Sequence, residues 1–579
     1  MPGTNPDETV ERWYSRTRSR ISDLSFPTAD GLLCVPVGTR RTAGSQSKRV
    51  PTPVSFDREN PRPARAPAPG PGTQTESRNP PHFGRRKTAR AGSRGFMAPL
   101  TAVCGGGRPS RVLRRHLKSR FLETRMKNGR SSRHSGRTVV LRGGGPSGER
   151  VRLGVHDLMN GTFATPRTFF YRRTLDDSAV EESLRRTLAR YPLLTGRLVR
   201  DADGGLSVVC DDAGAVFAVG HADRAMPDYG PDRPARKDLR RYLHAVNAFR
   251  VVGHDTPLLS VKVTHMRGGG SVLGVSINHA VVDGGGYLDF LLHWSRTHAG
   301  EDHPAAPYDR TLLDGLADGV APAADDPQYS VVTGGQKLGF FWKVNAGARR
   351  MRTITVRFTA DEVLALRETA RAGQGTDQPA ASSGDALGAH LWRVLGALRD
   401  RAPGAEERLG IVVGLRAALK DRLPDGYWGN AVSNTTAVLP AGELRGEPLA
   451  HTVAALRTAL DRVTPDRVRQ ETAYLEAQRS AGHSGRVFSR MSLDAFEGTV
   501  ALNNSSRLPV YAIEFGAGRP FWFEYPASPI PWTVLLTPTP DDDHSRDVHL
   551  SVPRDAADAL RAPEWTARLH APAERLRGF

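Results

Sequence analysis

The pattern of apolar and polar positions divides the chain near residue 138. Over residues 1–137 the apolar residues come singly or in isolated patches such as Gly31–Val37, without helical or strand period. Such a segment buries too little apolar surface to offset its chain entropy, and it reads as a disordered extension. Regular patterning begins at Thr138. Ser178 and Glu181 stand at capping-box spacing, and Val180, Leu184 and Leu188 follow on one helical face, which predicts a helix that Pro192 ends. Leu193–Leu198 leads into a strand, with Gly204-Gly205 as the next turn. Ile354, Val356 and Phe358 alternate with polar residues as a half-buried strand, and Thr359 with Glu362 caps an amphipathic helix after it. Between these halves, Asp314–Pro327 is small, polar and Pro/Gly-bearing. It predicts a crossover over residues 314–335 between two α/β lobes, 138–313 and 336–579.

One segment combines this patterning with chemistry. Val272–Asn278 is largely apolar, follows the glycines Gly268–Gly270, and suits a buried strand. It delivers His279 at its end, followed by Ala-Val-Val-Asp283, the run Gly284–Gly286, and an amphipathic helix from Tyr287 to Trp294. A histidine between a rigid strand and a loop is well placed to act as a general base. Neutral imidazole, with an ordinary pKa near about 6.5, can take the proton of a hydroxyl or amine as it attacks a thioester carbonyl. The thioester is already activated, so no covalent enzyme intermediate is needed. Asp283 is placed to hold the loop through a buried ion pair rather than to do chemistry.

Charge and cysteine content narrow the function classes. The chain's net charge is +20, but residues 1–137 hold 28 Lys and Arg against 9 Asp and Glu, leaving 53 against 52 for residues 138–579. The large segment is balanced and needs no polyanionic partner. The basic tail carries no aromatic stacking pattern or RNA-binding signature, so a nucleic-acid role is not expected of it. The tail could also precede the native start, for which Met126 is the candidate. Three cysteines, Cys34, Cys104 and Cys210, exclude a disulfide framework, and no Cys/His spacing suggests zinc. No apolar run is long enough to span a membrane, and the N-terminus lacks a secretion-signal pattern, so a cytoplasmic protein is expected. No Gly-x-Gly-x-x-Gly or P-loop pattern opens a helix after a strand, which leaves nucleotide hydrolysis and dinucleotide redox unsupported. Gly482-His-Ser-Gly485 lacks the fifth-position glycine of a hydrolase nucleophile elbow. His390, between Ala389 and Leu391 on a helix, is read as a packing residue.

Six ordered stretches together resemble the BAHD acyltransferases. They are Leu153–Leu158, read as an opening strand, Tyr191–Leu198, His279–Gly284, Ser383–Arg393, Gly414–Arg416 with Pro424–Asn430, and Ser506–Tyr511 followed by Glu514–Pro520. The resemblance implies two chloramphenicol-acetyltransferase-like lobes, each a mixed sheet with flanking helices, with a channel between them. It implies acyl-CoA as co-substrate, a small-molecule alcohol or amine as acceptor, no bound cofactor, no metal, and a monomer. His279 would be the base, Asp283 would pair with Arg416, and Gly284, Glu514 and Gly516 would be structural, the last two shaping the second lobe's channel wall. The chain departs from the family pattern in three places. Glu514 stands for Asp, Ala517 for Trp, and Asn503-Asn504-Ser505 fills a stretch where many members carry a Trp. Asn503 and Ser505 are named as oxyanion or acceptor contacts on that ground. Two other readings compete. A condensation-type enzyme acting on carrier-protein thioesters normally has two histidines, where this chain has Asn278-His279. A non-catalytic binding protein with a nucleic-acid-binding tail would have no use for an intact His279/Asp283 pair.

Overall fold

The computed structural model describes residues 136–571, apart from 146–147, 160–163, 230–236, 245, 247–249, 374–379, 527 and 542. Nearly all of the basic extension, with Cys34, Cys104 and Met126, lies outside the described residues.

Two six-stranded mixed sheets carry the fold. The first runs in the order Arg137–Leu141, Ala215–Ala222, Leu259–Met266, Ser271–Asn278, Ala164–Tyr171, Trp522–Glu524. The second runs Met351–Phe358, Arg546–Pro553, Thr533–Pro538, Val500–Asn504, Glu406–Gly414, Val432–Pro440. Helices cover each sheet. Val180, Leu184 and Leu188 of helix Asp177–Leu188 are buried with Leu288, Leu291 and Leu292 of helix Gly284–His298 over the first sheet. Helices Ala360–Ala372, Ser383–Arg399 and Leu449–Asp461 do the same over the second. This is the expected two-lobe α/β arrangement, and among the described residues no helix is long and apolar enough to cross a membrane.

Local details differ from the expectations where side chains outcompete pattern. Asp176, not Ser178, caps the first helix: its Oδ1 accepts from the amides of Ser178 and Ala179 at 2.9 and 3.0 Å. The helix ends at Leu188, ahead of Pro192, which instead opens the four-residue helix Pro192–Thr195. Leu153–Leu158 is not a strand, since Val155–Leu158 is one helical turn. Asp157 reaches back to the amide of Gly154 at 3.1 Å, and Asp314 accepts from Val155 at 2.9 Å. The capping box of Thr359 and Glu362 is formed as its spacing predicts. His390 is fully buried, with Nε2 at 2.8 Å from the Leu569 carbonyl, and burial lowers its pKa to about 4.

The lobes exchange chain. The strand Trp522–Glu524 pairs with Phe170–Thr168 and so completes the first sheet from the far half of the sequence. Val510, Ile513 and Phe515 enter the first lobe's core with it. The boundary after residue 335 therefore does not separate two self-contained lobes. The crossover itself is pinned rather than loose. Asp314 binds Arg479 at 3.0 Å, Asp326 binds Arg467 at 2.7 Å, and Tyr329–Val331 pairs with Val487–Ser489.

Candidate active site

Every residue of strand Ser271–Asn278 is buried, and the strand ends at the partly exposed His279. Asn278 makes the turn: its Oδ1 accepts from the amide of Ala280 at 2.9 Å. Asp283 then caps helix Gly284–His298 by accepting from Gly286 at 3.0 Å. The glycine run is thus the first turn of the helix, not a loop before it. Gly286 is needed for close approach, because a Cβ there would lie 2.5 Å from Val282 and 3.1 Å from Trp428.

His279 Nδ1 lies 3.0 Å from Asn430 Oδ1. Asn430 Nδ2 donates to the His279 carbonyl at 2.7 Å and to Asp157 Oδ1 at 2.8 Å. Both of those partners can only accept, which fixes the amide orientation and makes Oδ1 the acceptor. His279 must then carry its proton on Nδ1, leaving the Nε2 lone pair free to take another. Asp157 is itself buried and paired with Arg310 at 2.7 Å. Arg310 also donates to the Trp428 and Val281 carbonyls at 2.6 and 2.8 Å. The imidazole stands at the end of a buried chain of four side chains drawn from four separate segments.

Asp283 points away from that chain. It receives both Nη atoms of Arg416, at 2.7 and 3.1 Å, and the amide of Ala431 at 3.0 Å. Arg416 donates further to the carbonyls of Tyr427 and Gly429. The pair therefore clasps the 427–431 segment that presents Asn430. Burial works against ionisation of Asp283, yet the Arg416 guanidinium and the two amides hold its pKa below the usual carboxylate range. Burial pushes the His279 pKa below the ordinary imidazole value. Nearby Arg167 adds to this, while Asp283 and Asn430 oppose it.

This direction gives a pH dependence. A base must be unprotonated to act, so kcat/KM is expected to be on its plateau at pH 7. It should fall only through a pKa below about 6.5. A rate profile measured from pH 4.5 to 8 checks it, and an inflection above the ordinary value would contradict the placement of His279.

The other sequence candidates fall in two groups. Gly284 lies beside the motif, where a Cβ would sit 3.5 Å from Arg167 Nη2 and 3.9 Å from Leu508. Ser505 Oγ donates to Asn503 Oδ1 at 3.1 Å at the end of strand Val500–Asn504, and neither side chain hydrogen-bonds to His279. Glu514 and Gly516 are exposed, and the Glu514 backbone bonds Ser295 on the outer turns of helix Gly284–His298. They brace the first lobe, so the expected place on the second lobe's channel wall is corrected. Buried Ala517 lies in the same core cluster as Phe515, whose ring packs on Trp294 at 4.4 Å. Asn430, Asp157 and Arg310 were missed as site residues. Only the Gly-Asn pair in Pro424–Asn430 and the acid in Leu153–Leu158 hinted at them. Among the described residues no cluster of His, Cys, Asp or Glu could hold a metal ion.

A model of the Transferase family matches residues 144–562. Shikimate O-hydroxycinnamoyltransferase of Nicotiana tabacum is 28% identical over 405 residues, covering 68% of this chain and 90% of that protein. A hydroxycinnamoyl-CoA:5-hydroxyanthranilate N-hydroxycinnamoyltransferase of Avena sativa is 29% identical over 425 residues, covering 70% and 93%. Among solved structures, TRI101 of F. graminearum, complexed with coenzyme A and T-2 mycotoxin, superposes with a TM-score of 0.59 at 18% identity, covering 72% of this chain and 98% of that one. Vinorine synthase gives 0.57 at 18% identity, covering 76% and 100%. At these identities the two structures establish a shared fold.

Proposed function

Since the chain belongs to the Transferase family, the BAHD-type acyltransferases, we propose that His279 is the general base with which it moves an acyl group from acyl-CoA to a small metabolite. The protein is an acyltransferase, and its acceptor group is a hydroxyl or an amine. The observation that carries the role of His279 is the Nδ1–Asn430 hydrogen bond, which leaves Nε2 as the free basic atom. As the acceptor oxygen or nitrogen attacks the thioester carbonyl, its proton passes to Nε2. The tetrahedral oxyanion collapses, the C–S bond breaks, and the departing thiolate takes the proton back from the imidazolium. Atoms and charge balance without a covalent enzyme intermediate.

Asp283 and Arg416 position the loop that orients His279, and Gly284 lets the helix start without a side chain there. Asn503, whose Oδ1 accepts from Ser505 Oγ, is the candidate oxyanion donor through its amide nitrogen, an interaction worth roughly a hundredfold in rate. The reading includes no tightly bound cofactor, a monomeric chain and a cytoplasmic setting. The relatives named above suggest hydroxycinnamoyl donors, so the test is incubation with acetyl-, malonyl- and 4-coumaroyl-CoA and a panel of hydroxylated and aminated metabolites, read by mass. Acylated acceptor with an equal amount of free CoA is the expected result; no product from any pair would refute it. The carrier-protein alternative is disfavoured by Asn278, whose side chain is buried and engaged with Ala280.

A further inference from the structure

Arg167 lies on strand Ala164–Tyr171, which pairs directly with the strand that delivers His279. Its side chain is buried, with 5% of the residue exposed. The guanidinium stacks on the Tyr287 ring, with Cζ 3.8 Å from the centroid, and Nε donates to the Tyr525 hydroxyl at 3.1 Å. Tyr287 is fixed in turn by its hydroxyl on the Val275 carbonyl at 3.0 Å. The guanidinium is thus held from two sides in one orientation.

What it lacks is an anion. No carboxylate among the described residues lies within ion-pair distance of Arg167, and Nη1 is buried without any hydrogen-bond partner. The other arginines around the site are matched, Arg310 by Asp157 and Arg416 by Asp283. A buried, rigidly held and unmatched guanidinium is costly to keep unless something supplies the missing charge. Its place says what that is. Nη2 lies 3.5 Å from a Cβ built on Gly284, directly after the His279–Asp283 motif, and its charge acts on His279 itself.

We propose that Arg167 receives a carboxylate carried by one of the two substrates, held within reach of His279. This rests on the acyl-transfer reading and narrows it to a substrate class. The phosphates of CoA stand at the far end of the pantetheine arm from the thioester, so they do not supply an anion beside the reacting carbon. The carboxylate belongs either to the acyl chain, as in the CoA thioester of a dicarboxylic acid, or to the acceptor, as in a hydroxy or amino acid. Its two oxygens suit the planar fork of a guanidinium, which a point charge would match less well.

Two substrate pairs and two variants separate these sources. Succinyl-CoA and butyryl-CoA differ in one end group of the donor, and 3-hydroxybenzoate and 3-hydroxybenzamide in one end group of the acceptor. The wild type should favour the carboxylated member of one pair, and which pair shows the preference identifies the source. Arg167→Gln should lower kcat/KM for that member about 10- to 100-fold more than for its neutral counterpart, the difference lying mainly in KM. Arg167→Lys keeps the charge, guards against a folding defect, and should recover part of the loss. An equal effect of Arg167→Gln on both members, or a wild type that turns over only neutral substrates, would overturn the inference while leaving acyl transfer intact. A wild type that transfers nothing from any of the four combinations would overturn both.

Discussion

His279→Ala is expected to lower kcat by about 10²–10⁴ while stability and acyl-CoA affinity stay close to wild type. The rate falls because the acceptor's proton then has only water to go to. The fold should tolerate the change, since His279 sits at the end of its strand, partly exposed. Asn430 keeps both of its Nδ2 bonds, to the backbone carbonyl of residue 279 and to Asp157. Steady-state turnover, equilibrium binding of acyl-CoA and a melting curve check the three parts separately. Turnover within tenfold of wild type would remove His279 from the chemistry.

Asp283→Ala should do the reverse, acting on stability first and on rate through it. Removing one partner of a buried pair typically costs 3–5 kcal/mol, because the other charge is left without compensation. Arg416 keeps 30% of its side chain exposed, so part of its charge can be rehydrated, and about 3 kcal/mol is the expected loss. The amides of Gly286 and Ala431 lose their acceptor as well, which loosens both the helix start and the segment presenting Asn430. Denaturant midpoints measure the effect. The double variant Asp283→Ala/Arg416→Met should lose less than the two single losses added together, since no charge is stranded. A variant as stable as wild type but inactive would assign Asp283 to the chemistry instead.

What could be read from the residues follows the range of the forces involved. The strand ending at His279 was legible because burial on both faces writes an apolar run into consecutive positions. The helices over 177–188 and 360–372 were legible by their spacing, and only the capping residue Asp176 was misplaced, because Ser178 and Asp176 are both good caps. The ion pair of Asp283 with Arg416 joins residues far apart in the chain, and local pattern alone could not have paired them; it came from the family resemblance. Asn430, Asp157 and Arg310 stayed hidden for the same reason, as each is an ordinary polar residue until the fold brings it to His279. Trp522–Glu524 is three residues long and joins its sheet through backbone hydrogen bonds, which leave no side-chain period to detect. The place given to Glu514 and Gly516 came with the family resemblance, and nothing local in their segment shows that it crosses back to the first lobe. Arg167 carried no signal at all, since a buried guanidinium without an acid is visible only in three dimensions.

The proposed chemistry depends most directly on a neutral imidazole with an open Nε2 at physiological pH. The ¹⁵N spectrum of imidazole-labelled protein, taken as the difference between wild type and His279→Gln at pH 7, observes that state. A single neutral ring protonated on Nδ1 is the predicted result. A ring protonated on Nε2, or an imidazolium carrying both protons, would contradict it.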